Sequence, residues 1–131
     1  MTLVDTSVWI DYLRNRSTPA TQWLDSNLER QRIGLTDLVF REVLQGERTL
    51  DGMSTLAEAF NGFEVLTTGG RELSLASAKN YITLRNRGIT VRSTIDCLLA
   101  THCIREGHRL LHNDRDFDAF EKHLGLAVVR P

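Results

Sequence analysis

Cysteine is scarce in this chain: Cys97 and Cys103 are the only two in 131 residues. They fall six apart in one predicted helix, which suits neither a CxxC redox pair nor zinc-ligand spacing, so both read as small core side chains. No stretch approaches the roughly 18 consecutive apolar residues of a membrane-spanning helix. The opening Met1-Thr2-Leu3-Val4-Asp5 lacks a basic leader and carries an early acid, which argues against a secretory signal and for a cytoplasmic protein without membrane contact. A charge excess is missing too. The formal net charge of -1 rules out the bulk basicity of a nucleic-acid coat while leaving local fields open. Fourteen of the sixteen basic residues are Arg, the better phosphate fork, although a coding bias toward Arg explains that ratio equally well.

What is present suits one domain spanning residues 1–131, with 41% apolar residues and enough length for a proper core. Leu3-Val4-Asp5 reads as a short buried strand, with Ser7 as the N-cap of a helix from Val8 to Arg14. Ser17-Thr18-Pro19 starts a second helix reaching about Arg30. Ile33 to Thr36 is the next strand, and Asp37 opens a helix ended by Gly46. A helix within Thr49 to Phe60, a strand in Phe63 to Thr67 and a long helix from Arg71 to Arg87 follow. Ser93 or Thr94 caps a helix running to Glu106 and stopped by Gly107. A strand at Arg109 to His112, a short helix from Asp116 to His123 and a strand at Ala127-Val128-Val129 complete the chain. Short apolar strands alternating with helices predict an α/β fold with a mainly parallel central sheet flanked by helices.

Four acids stand in places where an isolated carboxylate is hard to explain. Asp5 and Asp114 follow apolar strands and so belong at the carboxyl edge of the predicted sheet, where open parallel sheets bind ligands. Glu42 falls between Leu38 and Val39 on the helical wheel, on a partly buried face. Asp96 shares its stripe with Leu99, Ala100, Cys103 and Ile104. A buried carboxylate costs several kcal/mol or protonates unless it is compensated. Helix N-terminal amides would compensate Asp96 alone. For the four together a cation is required, and an all-carboxylate set favours Mg²⁺ or Mn²⁺ over zinc.

The blocks around these acids are Asp5-Thr6-Ser7-Val8-Trp9, Arg41-Glu42-Val43-Leu44-Gln45-Gly46, Ser93-Thr94-Ile95-Asp96-Cys97-Leu98-Leu99-Ala100 and His112-Asn113-Asp114-Arg115-Asp116-Phe117. In their order and spacing the chain resembles a PIN-domain ribonuclease, specifically a VapC-type toxin of a toxin–antitoxin pair. The resemblance implies a single PIN-like domain and a Mg²⁺- or Mn²⁺-dependent endoribonuclease that cleaves RNA with metal-activated water. It makes Asp5, Glu42, Asp96 and Asp114 the acidic centre. It places the metal on Asp5, Asp96 and Asp114, with Asp116 binding a second ion, holding a water or capping the short helix. Thr6 resembles a hydroxyl that orients the first acid or a water. Ser93 or Thr94 would do the same beside Asp96 or serve as the helix cap, and Arg92 is the candidate for gripping a substrate phosphate. The implied partners are RNA, a cognate VapB-type antitoxin and a second copy of the chain, with a hetero-oligomer as the toxin–antitoxin assembly.

Two other classes bear on these residues. A haloacid-dehalogenase-type phosphohydrolase also starts with a strand ending in Asp, but needs a second acid two residues on, where this chain has Ser7. A non-catalytic RNA- or antitoxin-binding module would use the acids for a structural ion or an antitoxin Arg. Trp9, Trp23, Phe40, Phe60 and Phe63 read as packing rather than base-stacking platforms. His112 reads as a hydrogen-bonded structural side chain.

Overall fold

Five short strands lie side by side in one wholly parallel sheet in the computed structural model, which describes residues Met1–Pro131. In chain order they are β1 (Thr2–Val4), β2 (Ile33–Thr36), β3 (Glu64–Leu66), β4 (Arg109–Leu111) and β5 (Ala127–Val128), arranged β3-β2-β1-β4-β5. Every residue of β1 and β2 is buried. Since alternate residues of a strand face opposite sides, both faces of the sheet are covered, as a parallel sheet requires. The outer strand β3 is largely exposed.

The helices are α1 (Thr6–Leu13), α2 (Pro19–Asn27), α3 (Asp37–Gln45), α4 (Leu50–Ala59), α5 (Gly70–Asn86), α6 (Thr94–Glu106) and α7 (Asp118–Leu124). Their starts follow capping chemistry. Thr18 caps α2 in a reciprocal box with Thr21 and with Pro19 in the first turn, Thr36 caps α3, Thr49 caps α4 and Ser93 caps α6. Gly107, at φ 71°, ends α6 in the left-handed conformation that glycine adopts without strain.

Three expectations need correction. Ser7 is not the N-cap of α1: Asp5 is, accepting the Ser7 N–H, and the helix starts at Thr6. The short helix expected from Asp116 begins instead as a 3₁₀ turn, Arg115–Phe117, capped by Asp114, and continues as α7. The second helix stops at Asn27, short of Arg30.

Trp9 packs edge-on against Phe60 and Phe63 with ring centroids 5.0 and 5.1 Å apart, so these aromatics bind α1 to the end of α4. Cys97 and Cys103 are buried, as expected. Trp23 is partly buried, with the Arg109 guanidinium 5.9 Å from its ring. Leu50, by contrast, stays 79% exposed, and α4 buries none of its residues fully. Gly34 sits where β2 meets β3: a Cβ there would lie 2.5 Å from the Glu64 carbonyl oxygen and 2.6 Å from Met1 Cε. No helix is long and apolar enough to cross a membrane.

Candidate active site

The order in which strands are added reverses between β1 and β4. Strands β2 and β3 extend the sheet to one side of β1, then the connection through α5 and α6 returns to place β4 on the other side. A crevice at the carboxyl ends of the strands is expected at such a switch point. Asp5 follows β1 directly, with its N–H donating to the Leu111 carbonyl of β4 at 2.9 Å. Asp114 stands three residues beyond the end of β4, so these two acids flank the switch.

Asp5 is 3% exposed. Its Oδ2 accepts the Ser7 N–H at 3.1 Å and the Ser7 hydroxyl at 2.6 Å. Burial raises its pKa, the bonds from Ser7 and the Thr6 backbone oppose that rise, and the nearby Asp114 adds to it. Asp96 occupies the first turn of α6, where its backbone N–H donates to Ser93 Oγ at 3.2 Å. Its carboxyl is pushed up to about 7, first by burial and then by the charges of Asp5, Asp114, Glu42 and Asp116. The charges that act on this one carboxyl of α6 thus come from acids after β1 and β4 and on α3.

Asp96, Asp114 and Asp116 form the tightest set, each offering a carboxylate oxygen within 4.8 Å of the others. Asp116 therefore does not cap the short helix. Asp114 does, accepting the Asp116 N–H at 2.9 Å, and Asp116 projects an exposed carboxylate beside the other two. Glu42 is half-buried on α3, which packs against both α1 and α6. Its Oε1 accepts the Thr6 hydroxyl at 2.8 Å, so Thr6 orients Glu42 and the hydroxyl on the first acid is that of Ser7. Ser93 is the cap beside Asp96 and Thr94 is the exposed first residue of the helix.

Arg92 is exposed next to that cap, while Arg85 lies 5.7 Å over the Tyr81 ring. His112 accepts the Asp114 N–H through Nδ1 at 3.1 Å and packs on Phe117 with centroids 4.9 Å apart, which fits the structural role read for it. Ser7 was missed as a site residue. Its signal is the spacing Asp5-Thr6-Ser7, in which an acid just before a helix takes the N–H two residues on as an Asx cap and leaves the Ser hydroxyl a second purpose.

The donor set consists of hard carboxylate oxygens with no Cys or His among them, and like charges this close raise one another's pKa unless a cation intervenes. The residues present thus fit an oxygen-seeking divalent ion. A cavity of about 490 Å³ lies elsewhere, between α5 and α6, lined by residues such as Tyr81, Ile82, Cys97 and Leu98 and by no acid.

A family model for the PIN domain matches residues 2–123. VapC ribonuclease Mb1587 of Mycobacterium bovis is 35% identical over 131 residues, covering 98% of each chain. Ribonuclease VapC11 of Mycobacterium tuberculosis matches to the same extent. Among solved structures, VapBC2 of Rickettsia felis bound to a promoter DNA fragment matches with a TM-score of 0.77 at 16% identity, over 98% of this chain and 96% of that one. Mycobacterium tuberculosis VapC20, described as a sarcin–ricin loop cleaving toxin, matches with a TM-score of 0.69 at 18% identity over the whole of both chains. At these identities the two structures bear on the fold.

Proposed function

The chain belongs to the PIN-domain family and, within it, groups with the VapC ribonucleases, and from that membership and the acidic site we propose that it is a metal-dependent endoribonuclease, the toxin of a type II toxin–antitoxin pair. The observation that carries this reading is the set of Asp96, Asp114 and Asp116, whose carboxylate oxygens lie within 4.8 Å of one another at the switch point of the sheet, with Asp5 and Glu42 near enough for their charges to act on Asp96.

Asp96, Asp114 and Asp116, with Asp5 beside them, would hold Mg²⁺ or Mn²⁺, and Asp116 joins the site because its carboxylate lies within the 4.8 Å set. An ion bound there would supply Lewis-acid charge to the phosphodiester and lower the pKa of water. Glu42, held at Oε1 by Thr6, accepts the proton of the attacking water. The water oxygen bonds to phosphorus, the bond from phosphorus to the 3′-oxygen breaks, and that oxygen takes up a proton. The products are a 5′-phosphate and a 3′-hydroxyl, because the ribose 2′-hydroxyl takes no part. Arg92, exposed beside the cap of α6, pairs with a substrate phosphate.

The partners follow from the same reading. The solved relatives include VapBC toxin–antitoxin complexes, which supports a VapB-type antitoxin for this chain and a cytoplasmic setting where RNA is the substrate. Leu75 and Ile82 on α5 are 54% and 44% exposed, which supports a helix face covered in a homodimer.

The test is cleavage of RNA by antitoxin-free protein with Mg²⁺ or Mn²⁺, with and without chelator. Wild type should cut only with metal, and Asp5→Ala and Asp96→Ala should each lose more than about 100-fold in rate. Full activity in chelator, or in both variants, overturns the reading.

A further inference from the structure

A cleft of about 170 Å³ opens beside the acidic centre, lined by His112, Asn113, Asp114, Arg115 and Asp118, with no hydrophobic residue among them. Asp114 belongs both to this wall and to the tight carboxylate set with Asp96 and Asp116. A group that enters the cleft therefore lies next to the phosphodiester presented to the acids. The volume is below the roughly 300–1,000 Å³ of pockets that enclose a whole small molecule, and it suits one flat group entering from solvent.

The wall is a single segment with a pinned backbone. The Asn113 N–H donates to Ser7 Oγ at 3.1 Å, the Asp114 N–H to His112 Nδ1 at 3.1 Å and the Asp116 N–H to Asp114 Oδ1 at 2.9 Å. Phe117 is fully buried and packs on the His112 ring. On this frame the side chains of Arg115 and Asp118 are exposed. The ion pairs of the chain, Arg16 with Asp11, Arg32 with Glu64 and Arg130 with Glu121, include neither of them. Arg115 thus keeps its guanidinium fork for a ligand, and Asp118 keeps its two acceptor oxygens.

These two groups select a ligand by its hydrogen-bonding edge. Asp118 disfavours a phosphate in the cleft and favours two N–H donors side by side, while Arg115 favours two acceptors side by side. Guanine presents both, N1–H with the N2 amino group on one edge and O6 with N7 on the next. No other base offers Asp118 two neighbouring N–H donors. Unstacked bases of single-stranded RNA expose these edges to side chains.

We propose that the cleft within His112–Asp118 is a guanine subsite for the nucleotide adjoining the scissile phosphate, with Asp118 accepting from N1–H and the N2 amino group and Arg115 donating to O6 and N7. The proposal rests on the nuclease reading of the acidic centre and adds to it a base preference beside the cut.

The experiment uses antitoxin-free protein with Mn²⁺. Cuts are first mapped in a single-stranded RNA of randomised sequence, and matched oligonucleotides then carry guanosine, inosine or 7-deazaguanosine at the selected position. Inosine lacks the N2 amino group and 7-deazaguanosine lacks N7, so each analogue removes a partner of one residue. Wild type should select guanosine at one position beside the cut by about 10–100-fold in kcat/KM and lose about tenfold with either analogue. Asp118→Ala should cut guanosine and inosine RNA equally while still discriminating against 7-deazaguanosine, and Arg115→Ala should show the reverse. An active wild type with no base preference beside the cut, with a preference for another base, or with equal rates on guanosine and inosine RNA overturns the subsite and leaves the nuclease reading intact. So does a guanosine-to-inosine ratio that is the same in wild type and Asp118→Ala. The analogue comparison in wild type decides the matter if a variant does not fold. Wild type that cuts no RNA with Mn²⁺ overturns the nuclease reading and, with it, the subsite.

Discussion

The Thr6 hydroxyl donates to Glu42 Oε1 at 2.8 Å, joining the first residue of α1 to the middle of α3 across 36 residues of sequence. It supplies a donor to a half-buried carboxylate whose neighbours across the crevice are other carboxylates. Thr6→Val keeps the shape and removes the donor. Cleavage should fall about tenfold and stability by about 1 kcal/mol, with Thr6→Ser recovering both. Initial rates and urea denaturation check this, and an unchanged rate in the Val variant contradicts it.

The raised pKa of Asp96 makes metal-free stability depend on pH. With a folded value of about 7 against 3.8 for the free group, the folded state holds the extra proton. The stabilisation is thus fully present below about pH 4 and is lost as pH rises through about 7. The raised pKa of Asp5 contributes with the same sign. Urea midpoints of chelator-treated protein should fall between pH 5 and 8. Asp96→Asn should flatten that slope and gain about 1–2 kcal/mol at pH 8, less than full linkage because the site is partly solvated. Mn²⁺ should raise the wild-type midpoint at pH 8 by more than that of the variant.

Gly34→Ala tests the close approach of β2 to β3. The new methyl would meet backbone at 2.5 Å, the Glu64 carbonyl oxygen, which cannot rotate away. A loss of about 1–3 kcal/mol is expected, read as a lowered urea midpoint with unchanged slope. Cleavage at temperatures where the variant is folded should remain, since a methyl at Gly34 meets Glu64 and Met1 and none of the acids of the site.

The cysteines should be inert in the folded protein. Both are buried, and the Cys103 thiol is pushed up to about 12, mainly by burial and further by Asp5, so almost no thiolate is available to react. A chromogenic disulfide reagent should label neither within minutes at pH 8 and both in denaturant. Rapid native labelling of Cys103 would show that the core around α6 opens readily.

Most elements were legible because their signals are local. Thr18-Pro19 and Thr49 start helices, Gly107 stops one, and the apolar stripe beside Asp96 is buried at Leu99, Ala100 and Cys103 as its period requires. The errors were local as well. Asp5 and Ser7 are both good capping residues two positions apart, and the choice went to Asp5 because strand pairing to β4 holds it at the helix entrance. Asp116 and Asp114 posed the same ambiguity, and the tighter 3₁₀ turn resolved it for Asp114.

The sequence by itself determined which residues are the candidates for the chemistry. An acid inside an apolar stripe, or at the end of an apolar strand, is costly wherever the chain places it, so Asp5, Glu42, Asp96 and Asp114 stood out without coordinates. Only the tertiary structure decided how they meet. The strand order β3-β2-β1-β4-β5 puts β4 against β1, and pairing between segments about a hundred residues apart leaves no periodic trace in either one. The return of α6 through β4 sets Asp114 and Asp116 against Asp96, the packing of α1 on α3 gives Glu42 to Thr6, and the β1–β4 pairing turns Ser7 from an expected cap into the bridge between the two acidic loops.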